Sequence, residues 1–148
     1  MASLINPALP TGRPRILAIE DVATIRRFYD RFGEAYGYDI TLAPTGTAAL
    51  SILESGQDFD VILLDVRLPG VSGRALWKTM ELTRPELCPR VVMVTADMMS
   101  ENTQQLVRDT GCPYLEKPFS TQQLELMIRR VLESERRDPG EDRLFGGV

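Results

Sequence analysis

Short apolar runs alternate along this chain with stretches of helical periodicity, and each run stops at a polar residue. The first, Arg15-Ile16-Leu17-Ala18-Ile19, has the length of a buried strand and breaks off at Glu20-Asp21. A helix is predicted next, with Val22, Ile25, Phe28 and Phe32 on one face and Arg26, Arg27 and Arg31 largely off it as a solvated face. Tyr38 to Leu42 reads as a second strand. Thr45 or Thr47 can then cap a helix that turns Ala49, Ile52 and Leu53 inward. The run Val61-Ile62-Leu63-Leu64 is uniformly apolar, as expected of a central parallel strand covered on both faces, and it ends at Asp65. A loop with Pro69, Gly70 and Gly73 leads to a helix from about Arg74 to Leu82, in which Trp77 is assigned to packing. Val91 to Val94 forms the fourth strand and reaches Thr95-Ala96. Ser100 opens a polar helix that stops at Gly111, a residue suited to the left-handed position after a helix end. A short strand around Tyr114-Leu115 ends at Lys117-Pro118. The last helix starts near Ser120 and carries Leu124, Met127, Ile128, Val131 and Leu132 at i, i+3, i+4, i+7 and i+8.

This alternation predicts an α/β fold: a parallel sheet with helices on both faces, joined by right-handed crossovers. In open sheets of this kind ligands bind outside the carboxyl ends of the strands, at a topological switch point. The domain is expected over 14–134. Residues 1–13, rich in proline and without periodicity, read as a flexible leader or linker, and 135–148 as a flexible tail.

Composition narrows the chemistry. A chain of 148 residues can bury a real core without disulfides or a structural metal. Cys88 and Cys112 have neither metal-ligand nor redox spacing and read as reduced thiols. No basic region precedes an apolar run at the N-terminus, and no apolar stretch approaches a membrane span, so a cytoplasmic protein without membrane attachment of its own is expected. A net charge of -4 and a pI of about 4.9 argue against nucleic-acid binding. Histidine is absent. That removes histidine acid–base catalysis, triads and histidine metal sites, and the chain cannot itself be a phosphohistidine donor.

The strand ends collect Glu20 and Asp21, Asp65, Thr95 and Lys117. An acid at one strand end is ordinary, because aspartate is a common turn former and helix cap. Five polar residues at four strand ends, each after an apolar run, are harder to assign to turns alone. Three close carboxylates raise one another's pKa unless a cation joins them. Oxygen ligands suit a hard divalent ion such as Mg²⁺, which binds one or two carboxylates together with phosphate. Lys117 and Thr95 supply a point charge and a hydroxyl donor for phosphoryl oxygens. A carboxylate nucleophile forming an acyl phosphate completes the set.

With those pieces in order, residues 15–132 resemble a response-regulator receiver domain. The matching pieces are Glu20-Asp21, Asp65 with Pro69 and Gly73 downstream, Thr95-Ala96, and Lys117-Pro118-Phe119. The resemblance implies a flavodoxin-like (βα)5 doubly wound sheet of strand order 2-1-3-4-5. It implies phosphorylation of Asp65 by a histidine kinase or histidine phosphotransfer protein, with Mg²⁺ (or Mn²⁺) held by Glu20, Asp21, Asp65 and the backbone carbonyl of Arg67. Thr95 and Lys117 would bind the phosphoryl group, and a downstream protein or a second copy in a homodimer would read the result. The chain would then be a phosphoacceptor with at most slow autodephosphorylation, not an enzyme. Tyr114 occupies the family's switch-aromatic position, against the plainer reading of a half-buried strand tyrosine. Arg67 and Asp97, each two residues past a strand-end site residue, are expected to pair above Asp65 and modulate the lifetime of the phosphorylated state. The segment from Gly111 to Lys117 is one residue shorter than the commonest receiver pattern, which is similar to receivers of hybrid sensor kinases, where a regulatory or phosphate-sink role is an alternative. A phosphatase of the haloacid dehalogenase type needs a second acid where Arg67 stands. A flavodoxin would bring its flavin phosphate against Glu20-Asp21. A degenerate receiver would lack one of the five site residues, and none is missing.

Overall fold

The structure, a computed structural model, describes residues 12–136. Most of the expected leader and tail, 1–11 and 137–148, lies outside the described residues. Five strands, β1 (Arg15–Ile19), β2 (Asp39–Ala43), β3 (Val61–Asp65), β4 (Val91–Thr95) and β5 (Tyr114–Glu116), form one sheet. All its pairings are parallel and the order is 2-1-3-4-5. The helices are α1 (Ala23–Tyr36), α2 (Gly46–Glu54), α3 (Gly73–Thr83), α4 (Glu101–Thr110) and α5 (Thr121–Arg136). α5 runs past the expected domain end at 134, and β2 sits one residue later than expected. A 3₁₀ segment, Pro85–Arg90, precedes β4 where the pattern assigns no element.

Side chains alternate across each strand, so β1, β3 and β4 feed two cores. Leu17, Ile19, Ile62, Leu64 and Met93 pack under α2, α3 and α4 with Leu53, Leu76, Met80 and Leu106. Ile16, Leu63, Val92 and Val94 pack on the other face under α1 and α5 with Tyr29, Phe32, Leu124 and Ile128. β3 is buried along its whole length, as a strand covered on both faces must be. Trp77 packs against the α2–α4 core, away from the carboxyl ends of the strands.

Local chemistry sets where the helices begin. Thr45 Oγ1 accepts from Ala48 N–H at 3.0 Å, Ser72 Oγ from Ala75 N–H at 3.1 Å, and Ser100 Oγ from Thr103 N–H at 3.5 Å. At α5 the Ser120 hydroxyl accepts from Gln123 N–H (3.1 Å) while the Gln123 amide oxygen accepts from Ser120 N–H (2.8 Å), a reciprocal capping box. Gly111 ends α4 at φ 69°, as its position predicts. α1 differs: Val22 caps it with no side-chain hydrogen bond and is 42% exposed. Of the expected apolar face of α1, Ile25, Phe28 and Phe32 pack on the core and Val22 does not. Val22 stands outside the helix, and Tyr29, which the pattern passed over, is buried with Phe32.

Candidate functional site

The turn after β1 is built first by the sheet. Glu20 N–H donates to Ala43 O at 3.0 Å, extending the β1–β2 ladder by one residue. The Glu20 carboxylate then folds back on its own turn, where Oε2 accepts from Val22 N–H at 3.1 Å. Its other oxygen, Oε1, is buried and has no hydrogen-bond donor aligned on it. The ammonium of Lys117 lies 2.8 Å from it as a charge contact.

Asp65 ends β3, and Val66 N–H continues the ladder onto Val94 O at 2.9 Å. The Asp65 side chain is buried and both of its oxygens are engaged. Oδ1 accepts from Arg67 N–H at 3.0 Å and Oδ2 from Lys117 Nζ at 3.0 Å. Lys117 is delivered by its backbone N–H, which donates to Thr95 O at 2.8 Å and so extends the β4–β5 pairing. Thr95 is fully buried at the end of β4, and its hydroxyl accepts from Asp97 N–H at 3.0 Å. One carboxylate oxygen each from Glu20, Asp21 and Asp65 lies within 4.8 Å of the others.

The electrostatics of this corner are unbalanced, with three acids around one ammonium. Burial raises the Glu20 pKa above the ordinary value, with Asp65 adding to the effect, while Lys117 and the Val22 N–H offset part of it. Burial alone would lower Lys117, yet its bonds to Glu20 and Asp65 outweigh that and hold it above its ordinary value. Three carboxylates share one ammonium, which leaves the corner short of positive charge. An all-oxygen set of three acids fits a hard divalent cation, so Glu20, Asp21 and Asp65 are the residues that could hold one.

Sequence reading and structure meet at Glu20, Asp21, Asp65, Thr95 and Lys117, which stand at one end of one sheet. Arg67 and Asp97 form an ion pair of 2.7 Å on the two loops above Asp65. Tyr114 stands on β5 with 40% of its surface exposed, and the site contacts above do not include it. Beside the site an apolar groove is lined by Ile25 and Phe28 of α1, Ala96, and Lys117-Pro118-Phe119. One residue was misread: Arg26 is not part of the solvated face. Its Nη1 donates to the backbone carbonyls of Glu20 (3.0 Å) and Asp21 (2.8 Å). The signal was available, because helical side chains lean toward the helix N-terminus and a residue in the first turns covers the turn before it.

Comparison with known proteins agrees with this geometry. Residues 16–129 match the response regulator receiver domain family. The chain is 31% identical over 129 residues to the response regulator MprA of Mycobacterium sp. (strain KMS), which covers 86% of this chain and 54% of that protein. It is 27% identical over 142 residues to the sensor protein GacS of Pseudomonas syringae pv. syringae, covering 94% of this chain and 16% of that protein. The chain thus spans about half the length of one relative and a smaller part of the other. Among solved structures, the chemotaxis protein CheY4 of Vibrio cholerae superposes with a TM-score of 0.71 at 28% identity, covering 81% of this chain and 99% of that one. A parallel 2-1-3-4-5 sheet, acids and a lysine at its carboxyl rim, and a family match over most of the length lead to one assignment: the chain belongs to the response regulator receiver domain family.

Proposed function

We propose that Asp65 accepts a phosphoryl group from a phosphohistidine on a histidine kinase or histidine phosphotransfer protein. The observation that carries this is a trio of acids, Glu20, Asp21 and Asp65, gathered at the strand ends around the single ammonium of Lys117. In the reaction an Asp65 carboxylate oxygen attacks phosphorus, the phosphorus–nitrogen bond of the phosphohistidine breaks, and the imidazole leaves as a neutral base after taking up a proton. Glu20, Asp21, Asp65 and the Arg67 backbone carbonyl would hold a divalent cation, Mg²⁺ or Mn²⁺, which would supply charge neutralisation for the phosphoryl oxygens. Lys117, already on Asp65, moves with the incoming group as a point-charge donor, and the Thr95 hydroxyl donates to another phosphoryl oxygen. Donation by Thr95 leaves its oxygen free to keep accepting from Asp97 N–H.

The folded receiver unit is assigned to 14–134, acting in the cytoplasm as an acceptor rather than a turnover catalyst. Its output is a changed surface for a protein partner, with Thr95 and Tyr114 as switch residues, and not contact with nucleic acid. The short segment from Gly111 to Lys117 and the similarity to GacS support a second reading, a receiver module acting beside a sensor kinase. Both readings share the same acceptor chemistry.

The test is intact-protein mass spectrometry after exposure to acetyl phosphate. Wild type is expected to gain one phosphoryl group only with Mg²⁺ present, and Asp65→Asn none. Equal incorporation in the two proteins contradicts the assignment.

A further inference from the structure

Arg26 stands in the first turns of α1, and its guanidinium reaches back over the turn that carries Glu20 and Asp21. One nitrogen, Nη1, donates to two consecutive carbonyls, Glu20 O at 3.0 Å and Asp21 O at 2.8 Å. Those carbonyls belong to the peptide planes on either side of the Asp21 Cα. A peptide unit is rigid, so holding both planes holds φ and ψ of Asp21 and the direction in which its side chain leaves the backbone. Few other bonds restrain the turn. Val22 provides no side-chain cap. Glu20 is tied on the strand side by its N–H to Ala43 O; the Val22 N–H, in one peptide plane with the Asp21 carbonyl, donates to the Glu20 carboxylate and shares the hold on that plane with Arg26, while the Glu20–Asp21 plane is held by Arg26. The neighbours Arg27 and Arg31 are exposed, whereas Arg26 is partly buried.

We propose that Arg26 is a positioning residue for the cation site: by clamping the Glu20 and Asp21 carbonyls it presents the Asp21 carboxylate to Glu20 and Asp65. The inference rests on the reading of these three acids as cation ligands. Its sign separates it from a charge effect. A positive charge behind a cation site opposes the cation, so removing the charge alone tightens binding. Removing the clamp loosens the carboxylate and weakens binding, as losing an outer-shell partner of a metal ligand does.

The experiment measures Mn²⁺ binding to the full, unphosphorylated chain from the electron paramagnetic resonance of the free ion, with Mg²⁺ as competitor. Arg26→Gln, which keeps most of the packed stem, and Arg26→Ala are expected to weaken binding about tenfold. Arg26→Lys, which retains reach and donors, is expected to recover most of the loss. Arg27→Ala, which removes a charge from the same helix, is expected to match wild type. Circular dichroism without metal establishes which variants are folded, and Arg26→Gln carries the test if Arg26→Ala is not. Unchanged or tighter binding in the folded Arg26 variants overturns the proposal while leaving the cation site in place. A wild-type chain that binds no Mn²⁺ overturns the cation reading itself, and this inference with it.

Discussion

The Glu20 carboxylate is buried, with Oε1 against the Lys117 ammonium at 2.8 Å and Asp65 close by, and burial outweighs the ammonium in setting its pKa. The consequence is a pH dependence of the metal-free protein. Because burial raises the folded pKa above the ordinary 4.5, the folded state holds that proton more tightly than the unfolded chain does. The stabilisation is present below 4.5 and is lost as pH rises through the folded value. Glu20→Gln removes the charge and the dependence together. In chelator, thermal unfolding above that window is expected to show a variant more stable than wild type by on the order of 1 kcal/mol, and calorimetry to show weaker Mg²⁺ binding. A less stable variant would mean that the Lys117 contact outweighs burial. The Arg67–Asp97 pair makes a separate expectation. Its partners are 65% and 35% exposed, so it adds at most about 1 kcal/mol to stability. In the proposed chemistry the pair, on the loops after β3 and β4, is expected to act as a partial lid across the line that hydrolytic water must take to the acyl phosphate. A barrier change of about 1.4 kcal/mol is tenfold in rate. Dephosphorylation half-lives of Arg67→Ala and Asp97→Ala are expected to shorten, with the double variant adding little more. Full additivity, or no change, rejects the lid.

Elements enter the function through where they start. The first residue of α3, Gly73, approaches the backbone beyond Asp65 so closely that an added Cβ meets Val66 Cα and O at 3.1 Å and Asp65 O at 3.3 Å. Backbone atoms cannot rotate aside as a side-chain tip does, so Gly73→Ala is expected to displace the β3–α3 loop. The measurable result is a slower phosphorylation rate with a stability loss of about 1–2 kcal/mol in chemical denaturation. Ser72→Ala, which removes only the cap, serves as the comparison: about 1 kcal/mol lost with the rate retained. The strands and most helices were legible because their signals are local. β3 is apolar up to its last residue, Asp65, and Ser100 and Gly111 bracket α4 by side-chain and backbone chemistry. α1 was legible in existence and in phase, with Ile25, Phe28 and Phe32 on the core side, but not at its start. Val22 has extended backbone at φ -87° and ψ 118° and stands before the helix, while Tyr29 completes the buried face with Phe32. The 3₁₀ segment had no periodic signal to read. Arg84 just before it donates to Leu53 O (2.9 Å) and Gln57 O (3.2 Å), contacts made across the fold.

At the scale of the molecule, two apolar layers share one sheet, and site residues come from the ends of four strands that are scattered in sequence. The convergence of Glu20, Asp21, Asp65, Thr95 and Lys117 could be anticipated because parallel strands point their carboxyl ends the same way. The individual bonds could not, since which oxygen of Glu20 accepts from Val22 and which meets Lys117 is decided only in the folded turn. β3 lies in the middle of the sheet, paired with β1 on one side and β4 on the other and covered above and below. Partial openings of a protein start where burial is thin and reach such a strand only with global unfolding. Asp65 is therefore mounted on the part of the molecule that gives way last, while the turns and loops that surround it belong to parts free to open on their own. In the proposed phosphorylation, an opening of those turns to admit a donor is expected to leave the Asp65 carboxylate in its place.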